Sequence, residues 1–384
     1  MATDEPTPVN PHATTPAEYP AYNIAWVCTS ERELEVADLM VDEIHEPVSL
    51  SSNGQIGNHG VVIIYIPPRG CGLLGSLGPF LSPFPNIRIG LMGGIASGAP
   101  RLGHDLRLGD VVAGVGIEES SRAGPAVFRP GARTLTLTWN HSHYGQQQQV
   151  GAQIKTQLAD ILARLPYQKR RKYSRPPVVS DRLYKPDFIH TDSLQSCSVV
   201  CGDEPERLVE RPLRDASLDE DDESIIHHGA IQRSSTFVKS AQVRDAQAAE
   251  EGVLCFKVDT LDLKGFPCLI AVGICDYADS HKNDEWQNYA TMMAAVYIKE
   301  LLSVTSPNAI DEMEPVVLPP GPAGRLTYST DLRNCCQCPD GVFLNTVTYV
   351  QCFNCGHVLN HVGGCPMVGY HKSSDLPSLA EQNH

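Results

Sequence analysis

The sequence contains no apolar run that approaches the ~20 residues of a membrane-spanning helix. Its first 20 residues are polar, include five prolines and lack the apolar centre of a signal peptide. We therefore expect residues 1–20 to form a disordered tail, and we expect the protein to work in the cytoplasm with no membrane partner.

Basic side chains are also few, since 30 Lys and Arg stand against 45 Asp and Glu in a chain of 384 residues with a formal net charge of −15. Such a protein does not attract a polyanion, so nucleic acid is not expected as a partner. The sequence also has no Gly-x-Ser-x-Gly elbow, no Gly-x-x-x-x-Gly-Lys-Ser/Thr loop and no His-Glu-x-x-His. These absences remove the usual signatures of α/β-hydrolases, P-loop nucleotidases and zinc proteases.

Several apolar runs are continuous rather than alternating. They occur at residues 22–28, 61–66, 87–92, 111–115, 254–256 and 268–274, and a helical pattern covers residues 286–302. Continuous apolar strands are typical of sheets that are covered on both faces. The sequence therefore predicts a layered α/β fold.

Composition divides the rest of the chain. A main domain is predicted over residues 21–302, with a polar insertion at 165–224. We expect its basic run Lys169–Lys172 and its acidic run Asp219–Glu223 to be solvated loops, with contact of the basic run to nucleic acid as the alternative. Residues 303–330 hold five prolines and two glycines and are predicted to be a linker. A cysteine-rich module is expected at 331–372, followed by a short tail at 373–384.

A glycine-rich segment is the first candidate for a ligand site. The apolar run that ends at Met92 is followed by Gly93, Gly94 and Gly98, a pattern that predicts a strand running into a turn. Glycines there let backbone amides approach an anion or a sugar hydroxyl. A tight packing turn would give the same pattern.

Together with Asp105-Leu-Arg-Leu-Gly-Asp-Val-Val112, this segment resembles the nucleoside phosphorylase family of the purine and uridine phosphorylase type, in a branch found widely in fungi. The resemblance runs from about Tyr22 to Leu302 and implies a three-layer α/β/α fold. Further matches follow in the expected order: Ser180-Asp-Arg-Leu-Tyr184 with His190, Cys201-Gly-Asp203, His227-His-Gly-Ala-Ile231, Phe266-Pro-Cys-Leu269, Gly273-Ile-Cys-Asp-Tyr277, Ser280-His-Lys-Asn283 and Trp286-Gln-Asn-Tyr-Ala290.

The resemblance also implies a chemistry and its residues. Family members cleave the bond between a ribose and a base, with phosphate or water as nucleophile. Asp276 matches the aspartate that acts as an acid on the purine, and Asp259 matches the carboxylate that holds the ribose hydroxyls, although it is one methylene shorter. The other implied substrate-binding positions are Phe256, Val258, Gly94, Ser97 and Gly98. Arg233 is a further candidate, because it brings a new positive charge to a stretch that lacks the family's Ser-Gly pair.

Some positions depart from the family pattern. Val258 replaces a methionine, and Lys257 reverses the charge of a glutamate. The glycine triplet reads Ile95-Ala96-Ser97-Gly98, and Val272 stands where an arginine is common. These changes affect phosphate binding most, so hydrolysis and phosphorolysis both stay open.

The expected function is therefore cleavage of a purine nucleoside or nucleotide, by a hydrolase or a glycosyltransferase of nucleoside metabolism. Family relatives form oligomers, so a homo-oligomer is expected. The alternative is a pocket that has been repurposed for another small-molecule reaction, or that binds a nucleotide without turnover. No organic cofactor is expected.

Six of the 13 cysteines lie between Cys335 and Cys365. The spacing Cys336-x-Cys338, thirteen residues, Cys352-x-x-Cys355 fits a tetrahedral zinc ribbon, in which Cys335 could replace Cys336. A structural zinc ion is therefore predicted on Cys336, Cys338, Cys352 and Cys355. Free or disulfide-bonded cysteines are the alternative, and a second ion on His357, His361, Cys365 and His371 has weaker support from the spacing.

Overall fold

The computed structural model describes residues 22–48, 51–66, 77–81, 83–101, 103–119, 127–130, 147–191, 194–211, 214, 224–234, 236–258, 261, 266–316, 327–329, 343–345, 349–352 and 358–360. Within these ranges, no helix has both the length and the apolar character needed to cross a membrane. The predicted tails at 1–20 and 373–384 lie outside the described residues.

The main structural unit is a mixed sheet of eleven strands. The strands are β1 Ile24–Cys28, β2 Glu43–Val48, β3 Ser51–Ile56, β4 His59–Tyr65, β5 Ile89–Gly98, β6 Val111–Glu119, β7 Val127–Pro130, β8 Ile226–His228, β9 Ala230–Ser234, β10 Val253–Val258 and β11 Cys268–Asp276. The helices are α1 Glu31–Met40, α2 Gly78–Leu81, α3 Gln147–Arg164, α4 Tyr167–Tyr173, α5 Cys197–Val200, α6 Ala241–Glu251, α7 Gln287–Val304 and α8 Pro307–Asp311.

The centre of the sheet is parallel. β4, β1, β5 and β11 run in one direction, and β6 pairs antiparallel with β11. The path continues through β7, β9 and β10, and β10 then pairs with β5. This last pairing closes six strands into a barrel, while β1, β4, β3 and β2 extend from it as an open sheet.

Helices cover the parallel strands, which explains their continuous apolar sequence. Every residue of β1 and of β11 is buried. Helix α7 packs on β11 and β5 and also contacts α1 and α3. Gly273 allows this approach, because a Cβ atom there would lie 2.0 Å from the carbonyl oxygen of Ala290 in α7. The layered α/β fold predicted from the sequence is confirmed.

The structure differs from the sequence prediction at the glycine-rich segment. β5 continues through Gly93 and Gly94 to Gly98, so these glycines lie within a strand and not in a turn. The reason is the register with β11, which pairs with β5 from Gly90 to Ser97 and holds this stretch extended.

The basic run of the insertion is exposed, as expected, but lies in a helix and not in a loop, and the acidic run lies outside the described residues. The insertion also has further structure. It contains α4 and α5, and the ring of Tyr173 at the end of α4 is fully buried. The described part of the predicted linker begins inside α7, which ends at Val304, and then forms α8, where Ile310 is buried.

Four short strands form a second, antiparallel sheet: β12 Thr327–Ser329, β13 Phe343–Asn345, β14 Tyr349–Cys352 and β15 Val358–Asn360. Cys352 is the last residue of β14, and its side chain is not among those described. Cys336, Cys338 and Cys355 lie outside the described residues, so the zinc ion on these four cysteines stays a prediction.

Candidate functional site

One edge of β5 changes its partner along the strand. It pairs with β1 at Ile89–Leu91 and with β10 at Ser97 and Gly98, while β11 occupies the opposite edge. In the described structure, residues 92–96 therefore have no paired strand on the edge of β5 that pairs with β1 and β10. We refer to this gap at residues 92–96 as the edge crevice. It lies towards the carboxyl ends of three parallel strands, where open α/β sheets commonly bind ligands.

Ser97 is the point at which three strands meet beside the edge crevice. It is in register with Asp276 of β11 on one side and with Phe256 of β10 on the other. All three residues are buried, and Asp276 is 8% exposed. The structure thus brings together three residues that the sequence separates by up to 179 positions and that the resemblance assigns to one site.

Asp276 ends β11, and its carboxylate has two described neighbours. Its Oδ1 accepts a hydrogen bond from the backbone N–H of Ala278 at 3.2 Å. Its Oδ2 lies 3.8 Å from the Nζ atom of Lys282. Ala278 has a φ of 53°, a left-handed conformation that is uncommon for a residue with a Cβ atom. The chain therefore turns sharply straight after the candidate acid.

The turn after Asp276 is anchored by arginines from two other segments. Arg244 of α6 donates to the carbonyl oxygen of Tyr277 at 2.8 Å. Arg211, from the insertion, donates to the hydroxyl of Tyr277 at 2.8 Å and lies 3.1 Å from Asp181. Burial, followed by the negative charge of Asp181, raises the pKa of Tyr277, so its hydroxyl stays protonated at neutral pH.

A buried ion pair lies at the edge crevice, and sequence reasoning missed its geometry. Lys257 Nζ is 3.2 Å from Glu33 Oε1, and the side chains are 2% and 7% exposed. The other carboxylate oxygen of Glu33 accepts from the backbone N–H and the hydroxyl of Thr29, at 2.6 and 2.9 Å. The pair faces Gly94, where a Cβ atom would lie 2.2 Å from Glu33 Oε1. A side chain at position 94 would therefore collide with the ion pair, so glycine is needed there whether or not a ligand binds.

The remaining predicted substrate-binding residues have these positions. Phe256 packs in a small apolar cluster that includes Ala99 and Ala278. Val258 is the last residue of β10 and is partly buried. Arg233 of β9 is in register with Lys257, is 3% exposed, and donates from Nη2 to the carbonyl oxygen of Leu261 at 2.6 Å.

Asp259, the predicted ribose anchor, lies outside the described residues. The chain on its amino-terminal side ends β10 beside the edge crevice, at Val258. The assignment of Asp259 to the ribose hydroxyls therefore stays a prediction.

A second buried network ties the insertion to the sheet. Asp110, which is fully buried, lies 2.5 Å from Arg214 and 2.9 Å from His227 Nε2. Burial by itself would raise the pKa of Asp110, but hydrogen bonds from Arg214 and His227 lower it overall. Burial also lowers the pKa of the neighbouring His228 to about 4, so that ring is neutral at pH 7.

Comparison with known proteins gives a curated relative but no family model that matches. The chain is 30% identical over 315 residues to a nucleotide-binding leucine-rich repeat (NLR)-like protein of Hyaloscypha variabilis. The alignment covers 75% of this chain and 30% of that protein. The chain therefore spans less than a third of the length of the curated relative.

Among solved structures, the chain is similar to a futalosine hydrolase of Helicobacter pylori, with 10% identity and a TM-score of 0.40. It is also similar to 5'-methylthioadenosine/S-adenosylhomocysteine nucleosidases of Neisseria meningitidis and Streptococcus pneumoniae, with 13% and 14% identity and TM-scores of 0.41. These alignments cover 73–74% of this chain and 97–100% of the three structures.

Proposed function

We propose that the edge crevice binds a purine nucleoside or nucleotide and that the protein cleaves its N-glycosidic bond. The observation that carries this proposal is the position of Asp276. A buried carboxylate ends a central parallel strand, in register with Ser97, and Ser97 borders the gap on the other edge of β5. This is where a departing base could take a proton from a fixed acid.

In the proposed reaction, the bond between the sugar C1′ and the purine nitrogen breaks, and its electron pair goes to the base. The carboxyl group of Asp276 gives a proton to the leaving base, most directly at N7. Water or phosphate then forms the new bond to C1′. When water is the nucleophile, the proton that it loses restores the acid, so no other reactant is consumed.

The charges at the crevice favour water as the nucleophile. The cation next to Gly94 is Lys257, and its ammonium group is already 3.2 Å from the Glu33 carboxylate. A lysine that is paired with a carboxylate attracts a phosphate dianion less strongly than an unpaired cation would. We therefore place hydrolysis ahead of phosphorolysis.

Nucleotide binding without turnover is the second candidate. The observation that favours it is Lys282, because its exposed ammonium group, 3.8 Å from Asp276 Oδ2, could contact the ligand's anionic group. In this case Asp276 would form a hydrogen bond with the base and transfer no proton. The two candidates share a ligand but differ in whether free base appears.

The test uses the purified full chain with adenosine, guanosine, inosine or ATP, with and without phosphate, and chromatography to detect free base. We expect base release without phosphate. Asp276→Asn should reduce release by about 100-fold or more, because the amide keeps the acceptor for the Ala278 N–H but has no proton to give. Asp187→Asn, at an exposed position, is the matched control and should keep full activity.

Calorimetric titration with the same ligands separates the two candidates. Binding by the wild type without any base release would support the nucleotide-binding alternative and reject the enzyme. If no ligand binds and no base forms, both candidates are wrong. Equal activity of Asp276→Asn and the wild type would remove Asp276 from the mechanism.

A further inference from the structure

A second group of reactive side chains lies in the insertion, next to the segment that follows Asp276. The Nδ1 atom of His190 is 3.0 Å from the Sγ atom of Cys201 and 3.6 Å from that of Cys197. These three atoms all lie within 4.8 Å of one another. The group is at least partly buried, since Cys201 is 1% exposed and His190 and Cys197 are half-buried.

Local structure explains why the two thiols meet. Cys197 is the first residue of α5, and Cys201 follows its last residue and donates its backbone N–H to the Cys197 carbonyl. Residues four apart lie on one face of a helical turn, so both sulfur atoms point the same way. His190, seven residues before the helix, then approaches that face.

The dimensions match a tetrahedral zinc site. With Zn–S bonds of about 2.3 Å and Zn–N bonds of about 2.05 Å, tetrahedral angles give N–S separations of about 3.6 Å and an S–S separation of about 3.8 Å. The observed N–S distances of 3.0 and 3.6 Å and the S–S limit of 4.8 Å allow an ion to enter with small side-chain shifts. Two thiolates and an imidazole are also ligands that zinc prefers.

We propose that His190, Cys197 and Cys201 bind one zinc ion, in a site separate from the cysteines predicted near the carboxyl end. In the part of the chain that the structure describes, the group has three ligands, so one tetrahedral position is left for water. As each Zn–S bond forms, one thiol proton is released to solvent, and the imidazole donates the lone pair of Nδ1. The charges of the ion and two thiolates then cancel, which suits a half-buried site.

The site would fasten the insertion to the segment after Asp276. The backbone N–H of His190 donates to Ser280 Oγ at 3.0 Å, and the Cys197 thiol is 3.9 Å from the carbonyl oxygen of Lys282. His281 lies between Ser280 and Lys282 in the sequence. Its ring is edge-on to the ring of His190, with the centroids 6.0 Å apart, and stacks on the ring of Tyr184, with the centroids 4.0 Å apart. A zinc ion would therefore hold residues 280–282, and its binding does not depend on the proposed function.

The experiment measures zinc in the full chain. To remove the zinc sites predicted near the carboxyl end, the starting protein carries Cys335→Ser, Cys336→Ser, Cys338→Ser, Cys352→Ser, Cys355→Ser and Cys365→Ser. It is loaded with zinc under reducing conditions, freed of excess metal and analysed by mass spectrometry. We expect one equivalent of zinc, lost when Cys197→Ser and Cys201→Ser are added. Cys268→Ser, the same change at a cysteine outside the cluster, should keep the zinc.

Two further measurements guard against a variant that does not fold. His190→Ala keeps both thiols and the helix, and we expect it to weaken zinc binding at least ~10-fold in a chelator competition. Cobalt in place of zinc should give a thiolate-to-metal charge-transfer band that falls by half in Cys197→Ser alone. A starting protein that holds no zinc, or zinc that is unchanged by Cys197→Ser with Cys201→Ser, would overturn the proposal.

Discussion

Replacing Lys257 with methionine tests the ion pair at the edge crevice most directly. Methionine is similar to lysine in length and volume, so the substitution removes the charge and leaves little empty space. The carboxylate of Glu33 would keep its two hydrogen bonds from Thr29 but lose the ammonium group at 3.2 Å.

The expected loss of folding stability follows from the burial of both side chains. Both side chains are nearly inaccessible, at 2% for Lys257 and 7% for Glu33, so solvent cannot replace the lost partner. Removing one member of such a pair destabilises a protein by about 3–5 kcal/mol, because an uncompensated charge stays buried. Glu33→Gln alone should cost a similar amount. The double variant buries two neutral groups, and we expect it to cost far less than the sum of the two.

The assay is urea unfolding followed by tryptophan fluorescence, since Trp26 and Trp286 are both buried in the main domain. With an m-value of about 3 kcal/mol/M, the midpoint should fall by about 1–2 M in Lys257→Met. Lys239→Met, at an exposed lysine, is the control and should stay within about 0.5 kcal/mol of the wild type.

Two results would refute this reasoning. A cost below about 1 kcal/mol for Lys257→Met would mean that the pair does not compensate a buried charge. Strict additivity of the two single variants would mean that Glu33 and Lys257 do not interact across the crevice.

Two further predictions concern packing and acid stability. Gly273→Ala should destabilise the protein by about 1–3 kcal/mol, seen as a lower melting temperature, because its Cβ atom would meet the Ala290 carbonyl oxygen at 2.0 Å and push α7 away. Burial by itself would raise the pKa of Glu35, but hydrogen bonds, first from Lys172, lower it to about 2. This stabilisation is complete above the unfolded pKa of about 4.3 and is lost as pH falls towards 2. Unfolding measured from pH 6 to 2 should therefore show a smaller loss in Glu35→Gln than in the wild type.

The insertion contacts both the central sheet and the segment after Asp276. Arg211 and Arg214 tie it to Tyr277 and Asp110, and His190 with Cys197 ties it to residues 280–282. All of these contacts except that of Arg214 with Asp110 converge on the segment after Asp276. If the proposed reaction takes place there, changes within the insertion should affect catalysis without touching the substrate.

The sequence by itself predicted the strands and their layering. Continuous apolar runs can be stable only if both faces of a strand are covered, and β1 and β11 are buried throughout. It also indicated that Asp276, Ser97 and Phe256 belong together, through their resemblance to one family. Their contact could not be derived from spacing, because it depends on β11 and β10 pairing with opposite edges of β5 at Ser97.

Only the tertiary structure decided which partners the charged and sulfur groups have. Lys257 looks in the sequence like a charge reversal that weakens a site, yet it is paired with Glu33, 224 positions away. The glycines after Met92 look like a turn, yet pairing with β11 holds them extended. Local sequence fixes a backbone preference and a pattern of burial, whereas the partner of a buried charge is fixed by which strands the fold places side by side.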